Sequence, residues 1–91
     1  MVKQAVLKYA IPDVAVTVPI TVPTGAQIVH VGLQHDEIKL WIMHEFNQSD
    51  TVPHTRQFIV VGTGWPIDQT NPRHVGTVTD GMFIWHVLEV D

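Results

Sequence analysis

The stretch QIVHVGLQHDEIKLWIMH, Gln27 to His44, decides the fold. Its first half alternates, with Val29, Val31 and Leu33 on one side and Ile28, His30 and Gly32 on the other. Four polar residues follow, Gln34-His35-Asp36-Glu37, and then alternation resumes. Ile38, Leu40 and Ile42 oppose Lys39, Trp41 and Met43. A period of two on both sides of a short polar break is the mark of a β-hairpin, because successive side chains of a strand point to opposite faces. With the break centred on residues 35–36, position 30 falls opposite position 41.

Outward from this hairpin the same grammar recurs. Val6 to Ile11 reads as a strand closed by Pro12-Asp13, and Val14 to Val18 as another stopped by Pro19. Val18-Pro19 and Val22-Pro23 make the next segment an edge or an extended connection, since proline cannot donate to a ladder. Glu45 to His54 reads as the longest loop. Arg56 to Val61 predicts a strand with Phe58 and Val60 opposing Ile59 and Val61. His74 to Val78 and Met82 to Val90 flank Thr79-Asp80-Gly81, a strong hairpin signal. No stretch combines a cap with helical apolar spacing. The expectation is a single all-β domain over residues 1–91, a small antiparallel β-sandwich or partly open barrel.

Composition narrows the function. In 91 residues, 45% are hydrophobic and only 15% charged, and the net charge is −4. Apolar residues on both faces of the middle strands call for cover by a second layer of the chain or by a partner. We expect a homo-oligomer, a dimer above all, since small domains often complete their cores by association. Lys3, Lys8, Lys39, Arg56 and Arg73 are scattered, which disfavours duplex nucleic acid. No apolar run is long enough for a signal peptide or a membrane span. With no cysteine there is no thiolate nucleophile and no Cys-based zinc site, and the chain suits a reducing cytoplasm.

Candidate chemistry is sparse. The histidines are His30, His35, His44, His54, His74 and His86, without H-x-H or H-x3-H spacing, so no metal and no cofactor is expected. His86 lies in the longest strand, beside Ile84 and Leu88. It is either a satisfied interior histidine or a polar contact for a ligand, and the first use is the commoner. Gly62-Thr63-Gly64 is followed by Trp65-Pro66 rather than a helix, which removes a phosphate-loop reading and leaves a tight turn with positive φ and Trp65 packed over it. Trp41 and Trp85 read as packing residues. The acidic residues, Glu89 among them, read mostly as solvated turn or terminal positions, so catalysis finds little support. The ligand-binding candidates are Trp65, Gly62, Thr63, Gly64, His86 and His74.

Several elements recur in order along the chain: Lys8-Tyr9 with Ile11-Pro12, Val22-Pro23-x-Gly25-Ala26-x-Ile28, Leu40-Trp41, Phe58-x-Val60, Gly62-Thr63-Gly64-x-Pro66-Ile67, His74 to Val78, and Phe83-x-Trp85-His86-Val87. Together they resemble a family of short uncharacterised proteins, domains of unknown function encoded largely by bacteriophages. The resemblance implies phage origin and action in the host bacterial cytoplasm or on a virion, and it assigns no residue a role. The leading expectation is a non-catalytic phage accessory protein. It would bind a host protein or sequester a small signalling ligand. The alternatives are a virion structural component, such as a capsid decoration or tail-associated protein, and, last, a small enzyme with a site formed between subunits.

Overall fold

The computed structural model describes residues 3–45 and 52–91. In these residues seven strands follow one another: β1 (Gln4–Ile11), β2 (Val18–Pro23), β3 (Gln27–Gln34), β4 (Glu37–Glu45), β5 (Pro53–Gly62), β6 (Arg73–Asp80) and β7 (Phe83–Val90). Among the described residues there is no helix. Every pairing is antiparallel. The strands form two sheets, β1-β4-β3 and β2-β5-β7-β6, packed as a small sandwich rather than a closed barrel.

The founding hairpin is tighter than its polar residues suggest. Gln34 pairs with Glu37, and only His35 and Asp36 turn the chain, both at positive φ (52° and 63°). Two residues of that conformation match the twist of the flanking strands, as in a type I′ turn. His30 pairs with Trp41, as counted from the sequence.

Three sequence expectations are corrected. Val14 to Thr17 is not a strand: Ala15 takes φ 62°, and the strand runs instead from Val18 to Pro23. Pro19 and Pro23 are tolerated there because β2 is a sheet edge. In β3 a bulge between Ile28 and His30 throws Val29 outward. Ile28 and Val31, on opposite faces in a regular strand, therefore both pack on the core. The last turn is Gly81-Met82, one residue later than the sequence suggests, with Gly81 at φ 59°. The expected loop from Glu45 to His54 falls partly on 46–51, outside the described residues; β4 continues to Glu45 and β5 begins at Pro53.

The core between the sheets holds Ile11, Ile20, Val22, Ile38, Leu40, Ile42, Phe58, Val60, Val78 and Val87. A second cluster, Ile59, Val61, Leu88 and Val90, lies on the other face of β5 and β7. The loop leaving β5 helps cover it. Trp65, Pro66, Asp68 and Gln69 share a hollow with Ile59 and Val61, and the Asp91 amide donates to the Thr70 carbonyl (3.0 Å). The two apolar faces of β5 are thus satisfied within one chain.

The sheets meet most closely where β3 faces β6. A Cβ on Gly76 would stand 2.8 Å from Val31 Cγ2 and 2.9 Å from Val31 Cβ. The Val31 Cβ is fixed to its backbone and cannot swing away, so Gly76→Ala should cost about 1–3 kcal/mol through overpacking. Denaturant melts check this. Val31→Ala should recover part of the loss only in the Gly76→Ala background, and strictly additive effects would refute the contact.

Candidate functional site

The turn after β5 gathers four of the six candidates expected from the sequence, which are contiguous. The Trp65 amide donates to the Gly62 carbonyl (3.1 Å), and Gly64 supplies the positive φ (85°) that such a turn requires. Gly62 is buried and serves another purpose. Ring atoms of Trp65 lie 2.8–3.2 Å from where its Cβ would stand, so only glycine lets the indole settle onto the strand.

Register then brings β7 to the turn, since Gly62 pairs with Trp85. Trp65 meets Trp85 edge-on (centroids 5.5 Å, 83°), and Phe83 stacks on Trp85 (5.6 Å, 13°). These are the favourable geometries for rings with negative faces and positive edges. The cluster is not buried: Trp65 remains 44% exposed and Phe83 61%. With Gly62, Thr63, Met82, Ile84 and Trp85 they line an open hollow of about 310 Å³, and among the described residues no charged side chain lines it. Trp85, which the sequence suggests is packing alone, is half-buried and forms the floor on which both exposed rings rest.

The remaining two candidates sit on the outer face of the same sheet. His86 holds the Thr63 hydroxyl through Nε2 (2.7 Å) and the Thr77 hydroxyl through Nδ1 (3.2 Å). His74 Nε2 reaches the same Thr77 hydroxyl (2.9 Å), with the two imidazole centroids 6.4 Å apart. Thr63 belongs both to this chain of hydrogen bonds and to the aromatic hollow. Five of the six candidates therefore gather near the Gly62 end of the β2-β5-β7-β6 sheet, and the Thr77 hydroxyl links them to His74, which lies toward the other end of β6. Thr77, Met82, Phe83, Ile84 and Trp85 complete them; Trp85 is conspicuous in the sequence as a tryptophan, and nothing local marks the other four. Among the described residues no three metal-ligating side chains converge.

Two partly buried polar arrangements stand out elsewhere among the described residues. His44 is buried on the inner face of β4. Its Nδ1–H can donate to the Glu45 carbonyl (2.9 Å), leaving Nε2 to accept from the Tyr9 hydroxyl (2.7 Å). Burial pushes the Tyr9 phenol up from its ordinary value. The other arrangement corrects the view of Glu89 as a solvated terminal carboxylate. Arg56 clasps it with two bonds, Nε to Oε2 (2.8 Å) and Nη2 to Oε1 (2.7 Å), both side chains being 17% exposed. Nη1 of Arg56 donates to the Ala26 carbonyl (2.8 Å) just before β3. The hydrogen bonds to Arg56, more than its charge alone, hold the Glu89 carboxyl below the usual range, and those to Glu89 raise Arg56 in turn.

Compared with known proteins, residues 2–91 match the family described as a domain of unknown function (DUF7352). No curated protein and no solved structure matches the chain.

Proposed function

The chain belongs to the DUF7352 family, a domain of unknown function that passes on no activity, and we propose from its own geometry that it is a non-catalytic binding protein. Its ligand is a small molecule with a flat apolar face, held in the hollow formed by Trp65, Phe83 and Trp85. One observation carries this reading. Two large aromatic rings stand exposed yet are fixed in orientation by a third, over a glycine that lets one of them approach the backbone. Rigid exposed rings bind a planar face at little entropic cost. The Thr63 hydroxyl at the rim offers a polar contact to the ligand's edge. His86 is engaged by hydroxyls rather than by a carboxylate that would orient it as a base, which favours holding a ligand over converting it. The resemblance to bacteriophage-encoded proteins supports the setting: a phage accessory protein that withdraws a host molecule in the bacterial cytoplasm.

Native purification from bacterial cells, denaturation and mass spectrometry of the released small molecules test this. Wild-type protein should release one compound near unit stoichiometry. Trp65→Ala should keep its fold and lose about 5–150-fold in affinity, the equivalent of about 1–3 kcal/mol for one stacking ring. Wild-type protein that carries nothing, and whose tryptophan emission does not respond to host metabolite extract, would overturn the reading.

A further inference from the structure

We propose that β1 is a self-pairing edge, through which two copies join their three-stranded sheets into one six-stranded sheet, β3-β4-β1-β1-β4-β3. Each sheet of the sandwich has two edges. β2 is blunted by Pro19 and Pro23. β3 and β6 are bulged and close on each other through Val31 and Gly76. β1 alone runs without proline, bulge or register shift over eight residues. Among the described residues nothing pairs with its far side. Its one charged side chain, Lys8, is turned away from that side, reaching across the sheet to Gln34 Oε1 on β3. A lysine that would guard the edge is thus withdrawn from it.

The partner follows from register. The two-residue turn makes Gln34–Glu37 a hydrogen-bonded pair, so Glu37, Lys39, Trp41 and Met43 direct their amides to β3. Ile38, Leu40, Ile42 and His44 direct theirs to Ile11, Tyr9, Leu7 and Ala5 of β1. The free amides and carbonyls of β1 therefore belong to Gln4, Val6, Lys8 and Ala10. An antiparallel second copy satisfies them only if even residues meet even residues, which also keeps Leu7, Tyr9 and Ile11 on the core-facing side of both chains. A two-fold axis at Lys8 would set lysine against lysine, and one at Val6 would pair fewer residues. An axis at Leu7 pairs Val6 with Lys8, Gln4 with Ala10 and Ala5 with Tyr9, and brings the two Leu7 side chains together. An edge with this self-complementarity fits a second copy of the chain better than an unrelated strand.

The absence of cysteine makes the test clean. Leu7→Cys should cross-link to its copy under mild oxidation, the two Cα atoms being ~4.5 Å apart across a non-hydrogen-bonded pair. Gln4→Cys and Ala10→Cys should each fail alone, their copies lying ~20 Å apart, but should cross-link when mixed. Light scattering should give twice the 10.2 kDa chain mass. Val6→Pro removes an outward N–H and leaves the β1–β4 ladder intact, so it should give a folded monomer. Wild-type protein that stays monomeric at micromolar concentration overturns the proposal, as does a mixed Gln4→Cys and Ala10→Cys sample that does not cross-link. A dimer that survives Val6→Pro, or an edge occupied only by a strand of another protein, also overturns it. If Val6→Pro fails to fold, the cysteine pairs still decide.

Discussion

Phe58→Ala should remove roughly half of the protein's stability at 25 °C. Phe58 is fully buried at the centre of the inter-sheet core, with Leu40, Ile42, Val60 and Val87 equally enclosed in the same cluster. Removing a buried ring takes away its transfer free energy and leaves a cavity that two hydrogen-bonded sheets cannot close, a cost of about 3–5 kcal/mol. A domain of this length has about 5–10 kcal/mol to lose. Trp41→Ala should be milder, because Trp41 is only half-buried on the outward side of β4, where its ring meets His30 at 5.1 Å. Urea melts of the two variants side by side give the ranking. A Trp41→Ala protein less stable than Phe58→Ala would contradict the core described above.

Arg56→Ala should cost about 3 kcal/mol, the lower end of the range for stripping one partner from a buried ion pair. The variant leaves the Glu89 carboxylate partly buried without its two charge-assisted bonds, and the Ala26 carbonyl without its donor. The same pair makes stability depend on acid. In the folded chain Glu89 titrates below its ordinary value of 4.5, so on acidification the unfolded chain takes up the proton first. The stabilisation is present above the unfolded value and is lost as pH falls through the folded one. Arg56, shifted upward, adds nothing near neutrality. Glu89→Gln should therefore flatten the decline in stability below about pH 5, as read from melts between pH 3 and 7. An unchanged acid limb in Glu89→Gln would show that the pair contributes no such linkage.

The hairpin of β3 and β4, its register, and the two faces of β4 and β5 are legible in the sequence because alternation and turn chemistry are local. Whatever depends on an irregularity is not. His74 and Thr77 stand three apart and would lie on opposite faces of a regular strand. The bulge between His74 and Gly76 puts both on the face of His86, which is how the hydrogen-bonded chain arises. Alternation similarly misplaces Val29, where the bulge of β3 reverses the count. The Gly62–Trp65 turn is visible in the sequence because its residues are contiguous. The rings that complete it, Phe83 and Trp85, come from β7, on the far side of β6 in the chain, and only the pairing of Gly62 with Trp85 brings them there. Arg56 is visible two places before Phe58 in an alternating run, on the side that faces the core, but its partner Glu89 is set by the same long-range register.

The position of β7 in its sheet also shapes how the chain is made. β7 lies between β5 and β6 and supplies Val87 to one apolar cluster and Leu88 and Val90 to the other. During synthesis β5 emerges first and can pair with the proline-edged β2, yet its opposite edge stays open until residues 83–90 have followed. At the usual ribosomal pace of ~5–20 residues per second that interval lasts roughly 1–6 s. Throughout it the edge of Ile59, Val60 and Val61 that β7 will cover has no partner. A chain with β5 in place and β7 not yet added, rather than the finished sandwich, is thus the form that leaves this apolar edge open.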